Sequence, residues 1–86
     1  MLKIYGSMQC KDCVACREEF DRSNILYDFL DISEDLLNLK TFLCIRDTSE
    51  IFAQIRGTNV IGIPCIVNLD GSVCLDWYRY VSQDKS

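Results

Sequence analysis

The chain has 86 residues, 49% of them hydrophobic, and a formal charge of −4 from 13 acidic and 9 basic side chains. That length holds one domain with a modest core. The acidic balance argues against binding a phosphate backbone, and no apolar run approaches the ~20 residues that span a bilayer. There is no histidine, which excludes Cys-His and Ser-His catalysis and every histidine-containing metal site.

In chain order, LKIY at 2–5 is short, apolar and β-prone and stops at Gly6-Ser7; it predicts a buried strand. Residues 11–23 predict a helix, with Cys13, Cys16 and Phe20 on one stripe and Arg17, Glu18, Asp21 and Arg22 on the polar side. Ser23-Asn24 ends it, asparagine tolerating a left-handed cap. ILYDFLD at 25–31 predicts a second strand. Ser33 is the expected cap of a second, strongly apolar helix running to about Arg46, with Glu34 and Asp35 suited to its positive end. Asp47 and Glu50 read as a variant capping box for a short helix through Ile51, Phe52 and Ile55, stopping at Gly57. VIGIPCIVNL at 60–69 is an apolar run interrupted by Pro64, the sole proline. Asp70-Gly71 is a two-residue hairpin signal, and SVCLDWYRY at 72–80 is the returning strand. The polar tail is expected to fray. No repeat, linker or low-complexity segment breaks the chain.

The order β-α-β-α-(short α)-β-β predicts one α/β domain over residues 1–86. Its first β-α-β unit is a right-handed parallel crossover. Its last two strands are an antiparallel hairpin, which makes a four-stranded mixed sheet flanked by helices.

Six cysteines stand at 10, 13, 16, 44, 65 and 74. The N-terminus MLKIYGSMQ lacks the apolar stretch of a secretory signal; unless a leader was trimmed, a cytoplasmic protein is expected, and there six thiols point to redox chemistry, metal or small hydrophobes rather than structural bridges. Cys10 leaves the first strand and Cys13 lies in the first turn of the following helix. Unpaired backbone N–H groups and the helix dipole favour a thiolate there, and a CxxC so placed can drop one cysteine's pKa well below ~8.5. The i, i+3 spacing brings two Cα atoms within the ~4.4–6.8 Å that a disulfide tolerates. Cys10, facing solvent, is the expected attacking thiol and Cys13, one turn deeper, the resolving one. Between them Lys11 favours the Cys10 thiolate and Asp12 opposes it.

A metal reading would take Cys10, Cys13 and Cys16 together. A ferredoxin run continues with x₃-C-P, whereas here Phe20 and Asp21 follow, and no second CxxC exists for zinc. No intrinsic metal is expected. Cys16 reads as a small core residue, with partnership to Cys13 in a secondary disulfide as the minor alternative. Pro64, inside an expected strand, belongs at a strand's first position or at an edge.

With CKDC after KIYGSMQ and GIPCIV before a DG hairpin, residues 1 to about 78 resemble a glutaredoxin, a small thioredoxin-fold protein. The resemblance implies a dithiol–disulfide oxidoreductase with Cys10 as nucleophile and Cys13 as resolving thiol. It implies a cis bond before Pro64, packed beside the CxxC, and backbone hydrogen bonds from Ile63 to bound peptide or glutathione. Lys11, Ile63 and Pro64 are the expected substrate-binding residues. FLDIS resembles the family's second strand and its exit. Lys11 and Asp12 stand where the family usually has proline and an aromatic, and Ser7 where many members have lysine. The Gly-Gly turn and following aspartate that hold glutathione have no match after the fourth strand. The C-terminal end is short for the family's final helix, and 47–62 is longer than usual. The implied partners are therefore a disulfide-containing protein or a glutathione mixed disulfide, with glutathione or thioredoxin reductase as electron donor. Two other readings stay open. One is a non-catalytic binding or redox-sensing module that docks a partner through 47–62 or through Trp77, Tyr78 and Tyr80. The other is an iron–sulfur cluster shared between two chains through Cys10 with glutathione, as some glutaredoxins form.

Overall fold

The computed structural model describes residues 1–81; the polar tail from 82 onward, expected to fray, lies outside them. Strands β1 (Leu2–Gly6), β2 (Tyr27–Asp31), β3 (Cys65–Val67) and β4 (Val73–Cys74) form one mixed sheet in the order β2-β1-β3-β4. β1 runs parallel to β2 and antiparallel to β3, and β3 runs antiparallel to β4. Helices α1 (Lys11–Arg22) and α2 (Leu36–Thr48) connect the strands, giving the expected α/β architecture. No helix of the described residues is long and apolar enough to cross a membrane.

The central strands β1 and β3 bury Ile4, Tyr5, Cys65 and Ile66 on the two faces of the sheet, while Lys3 near the start of β1 stays exposed. Successive strand residues point to opposite faces. On one face Ile4 and Ile66 pack with Cys16, Phe20 and Trp77, under α1. On the other Tyr5 and Cys65 pack with Phe42 and Phe52, under α2. Phe20, Phe42 and Phe52 are fully buried, each worth ~1.5–3 kcal/mol of transfer free energy. Phe52 meets Phe42 edge-on at 5.9 Å between ring centroids.

The end of α1 follows its sequence signal. Asn24 has φ 60, and the amides of Asn24 and Ile25 return to the carbonyls of Asp21 and Phe20 at 3.2 and 2.9 Å, the Schellman closure. Four expectations are corrected. Asp35, not Ser33, caps α2, accepting from the amides of Leu37 and Asn38, because Ser33 is engaged by Asp31. The short helix after α2 is a 3₁₀ turn, Glu50–Phe52, entered from Ser49 with no side-chain cap; the expected Asp47 box does not form. The β3–β4 turn spans three residues: Asn68 N–H donates to Ser72 O at 2.8 Å and Gly71 N–H to Asn68 O at 2.9 Å. Gly71 takes φ +89, as the αL position of a three-residue hairpin loop requires. Finally, β4 ends at Cys74, and Trp77–Tyr80 is 3₁₀-helical because Trp77 turns into the α1 face of the core instead of continuing the sheet.

Candidate functional site

β1 delivers the chain to the reactive loop. After Gly6 the backbone turns through Ser7, whose carbonyl accepts from Cys10 N–H at 3.1 Å. Cys10 is the N-cap of α1, with φ −99 and ψ 120, and its Sγ accepts from Cys13 N–H at 3.4 Å. One orphan donor of the first turn is thus spent on sulfur. Cys10 is half-buried, and Cys13 is fully buried. The two expected thiols are therefore together, one reachable and one enclosed.

Gly6 makes room for the enclosed thiol. A Cβ at Gly6 would stand 2.8 Å from Cys13 Sγ and 3.2 Å from the Phe29 ring. Burial pushes the Cys13 thiol up to about 12; the hydrogen bond from the Cys10 side chain and the charge of Cys10 act in the same direction, and the Ser7 backbone opposes them. Cys13 is accordingly protonated at neutral pH, and Cys10 is the reachable thiol of the pair.

A chain of hydroxyls anchors the loop. Ser7 Oγ, in a buried residue, lies 3.1 Å from Ser33 Oγ and accepts from Gln9 N–H at 3.1 Å. Ser33 Oγ donates to the Asp31 carboxylate at 2.6 Å. That bond, with backbone N–H groups of Ser33, Glu34 and Met8, holds the Asp31 carboxyl below its ordinary range. The end of β2 is thereby tied to Ser7 and Met8, on the β1 side of Cys10. These partners lie 26 residues apart in Ser7 and Ser33, and nothing in their local spacing announces the pairing.

The Ile63–Pro64 bond is cis, as the resemblance implied. The antiparallel register pairs Tyr5 with Cys65; one step further sets the buried Pro64 beside Gly6, whose backbone meets Cys13. Pro64 and the CxxC therefore flank the same end of β1. Among the described residues, neither the N–H nor the C=O of Ile63 enters a backbone hydrogen bond. Lys11 is exposed at the first position of α1. Asp12, which opposes a Cys10 thiolate in the sequence reading, accepts from the Trp77 indole at 3.2 Å; this link of 65 residues in sequence was not foreseen.

The other thiols do not join the pair at the surface. Cys16 and Cys65 are fully buried, each pushed up to about 12 by burial first. Cys44 is exposed on α2, and Cys74 is half-buried against Asp76. All six are free thiols. Among the described residues no group of three or more cysteine, aspartate or glutamate side chains is arranged to hold a metal ion. The expected aromatic patch is divided: Trp77 is buried, Tyr80 is half-buried, and Tyr78 stacks on Trp77 at 4.1 Å and is exposed. A cavity of about 380 Å³ lined by Ile51, Asn68, Ser72, Val73, Cys74, Arg79 and Tyr80 opens beside the hairpin loop, at the end of the sheet opposite to Cys10; it contains none of Cys10, Lys11, Cys13, Ile63 and Pro64, but Ile51 and Tyr80 of the two alternative docking segments line it.

No family model matches the chain, and no solved structure matches it. It is 36% identical over 73 residues to an uncharacterized protein of Haemophilus influenzae, a match that covers 85% of each chain. At that identity and coverage the chain belongs to one family with the Haemophilus influenzae protein.

Proposed function

We propose that the chain is a thioredoxin-fold dithiol–disulfide oxidoreductase of the glutaredoxin kind, reducing protein disulfides or glutathione mixed disulfides. The observation that carries the reading is the asymmetry of the CxxC: Cys10 caps the helix and is reachable, while Cys13 is enclosed one turn inside.

The Cys10 thiolate attacks one sulfur of the substrate disulfide. A Cys10–substrate disulfide forms and one substrate thiolate leaves. Cys13 then gives up its proton and attacks Cys10 Sγ, so that the second substrate thiolate leaves and a Cys10–Cys13 disulfide remains. Two electrons have passed from the dithiol to the substrate, and glutathione or a dithiol reductase returns them. The order of events has an electrostatic logic. Burial is the largest cause of the high Cys13 value, but the side chain and charge of Cys10 add to it. Once Cys10 is tied up in the mixed disulfide its charge is gone, and Cys13 becomes easier to ionise at the step where it must attack. Lys11 offers a cation beside the entering substrate, and Ile63 offers an unpaired backbone edge next to Pro64. A reducing cytosol is the compartment in which such a pair works as a reductant.

The test is a coupled turnover assay offering glutathione with glutathione reductase in one arm and thioredoxin reductase in the other. Activity in either arm identifies the donor; activity in neither arm, with the dithiol verified as reduced, contradicts the proposal.

A further inference from the structure

The segment between α2 and β3 has little regular structure of its own, and two arginines organise it. Arg46, in the last turn of α2, donates through Nε to Ile61 O at 2.9 Å and through Nη2 to Val60 O at 2.7 Å and Ile55 O at 3.3 Å. Arg56 crosses back, donating to Arg46 O at 2.8 Å and Ser49 O at 2.5 Å. Each arginine therefore serves the piece of chain that carries the other. Among the described residues neither guanidinium has a carboxylate partner, so both forks are spent on main-chain carbonyls. A planar guanidinium with donors fixed in a fork can bind several carbonyls at set angles, which a lysine ammonium cannot reproduce.

What the clamp holds lies next to the site. Ile61 is separated from Ile63 by Gly62 alone. Gly62 takes φ +96, and a Cβ there would stand 2.6 Å from the Phe52 ring and 2.9 Å from Ile55. From Gly62 the chain passes through the unpaired backbone of Ile63 to Pro64 and into β3. Packing at Gly62 fixes the inner side of this strand entry, and the Arg46 fork fixes the residues just before it.

We infer that Arg46 is a positioning residue for substrate: by gripping the carbonyls of Val60 and Ile61 it holds the backbone edge of Ile63 ready to pair with an extended substrate chain, without touching the cysteines. This role rests on the proposed oxidoreductase activity. It predicts that loss of the fork weakens docking and leaves the chemistry of Cys10 alone.

The experiment compares wild type, Arg46→Lys and Arg46→Ala in reduction of insulin, a disulfide-bridged protein, with dithiothreitol as electron source. The alkylation rate of Cys10 by iodoacetamide across pH and amide hydrogen exchange at residues 60–63 are followed in parallel. Arg46→Ala is expected to raise KM roughly tenfold with kcat nearly unchanged, the signature of lost binding rather than lost chemistry. Arg46→Lys is expected to fall between the two. Exchange at Val60, whose N–H donates to Thr58 Oγ1 at 3.1 Å, quickens, and the alkylation profile of Cys10 stays that of wild type. A folded Arg46→Ala protein with wild-type KM or wild-type exchange overturns the inference, as does a parallel fall in kcat and Cys10 alkylation, which would mark a general structural role. If wild type itself fails to turn over, the oxidoreductase reading fails and takes this role of Arg46 with it. If wild type turns over and Arg46→Ala matches it, the role of Arg46 fails alone.

Discussion

Two loops meet at the same end of β1, and they are held by different means. The Cys10 loop is short and is fixed from within the fold: a helix cap made by sulfur, a buried Ser7, and hydroxyl bonds running to Asp31. The segment arriving at Pro64 is long and is held by two arginines: Arg46 of α2 binds its carbonyls, and its own Arg56 reaches back to the carbonyls of Arg46 and Ser49. The first arrangement sets sulfur geometry and cannot be altered without disturbing β1, β2 or α1. The second can be loosened by a single surface substitution. Under the proposed function, the comparison teaches that thiol chemistry and substrate docking fall to separable parts of this small domain.

The sharpest way to break the comparison is to remove the chemistry alone. Cys10→Ser is expected to reduce disulfide turnover to the uncatalysed rate while the circular dichroism spectrum and unfolding midpoint stay close to wild type, because Cys10 is half-buried and a serine oxygen can accept the same cap bond from Cys13 N–H.

Next in size is an alkaline effect on stability. Cys13, Cys16 and Cys65 are all raised to about 12 in the folded protein, against ~8.5 in an unfolded chain. A folded value above the unfolded one contributes stability that is complete below ~8.5 and is lost as pH rises from there toward 12. Urea unfolding should therefore show falling stability above pH ~8.5. Cys16→Ala should flatten that slope; a slope identical to wild type would assign the effect to other groups.

Smaller still is a pair of glycine substitutions in the arginine-held segment. Gly57 and Gly62 both have positive φ, but only Gly62 is crowded. Gly57→Ala should cost about 1 kcal/mol for the left-handed backbone alone, and Gly62→Ala about 2–4 kcal/mol, since Phe52 must also move. Equal losses in chemical denaturation would mean that the close packing at Gly62 does not fix the strand entry.

How much of this was legible in the sequence depended on how local the cause was. β1, α1 and β2 were read correctly because their signals lie within a few residues of what they govern: the Cys13, Cys16 and Phe20 stripe, and Asn24 at a left-handed closure. The CxxC at a strand-to-helix junction was legible for the same reason. Ser33 was misread as a cap because its hydroxyl is claimed by Asp31 and Ser7, and the competition is visible only once β1 and β2 are side by side. WYRY has the composition of a strand, yet Trp77 gains more by filling the core beneath α1 and reaching Asp12 than β4 gains by lengthening. The grip of Arg46 on carbonyls 9 to 15 residues away had no local sign, because carbonyl acceptors carry no side-chain identity. Family comparison left the activity itself to be argued from geometry.

The most direct measurement of the central claim is a trap. On a Cys13→Ser background the resolving thiol is gone, and reaction with a disulfide substrate should stop at the first exchange. Mass spectrometry after mixing with glutathione disulfide, followed by peptide mapping, should show a single mixed disulfide on Cys10, with Cys16 and Cys65 unmodified in the folded protein. No adduct at Cys10, or adducts only at the exposed Cys44, would contradict the account.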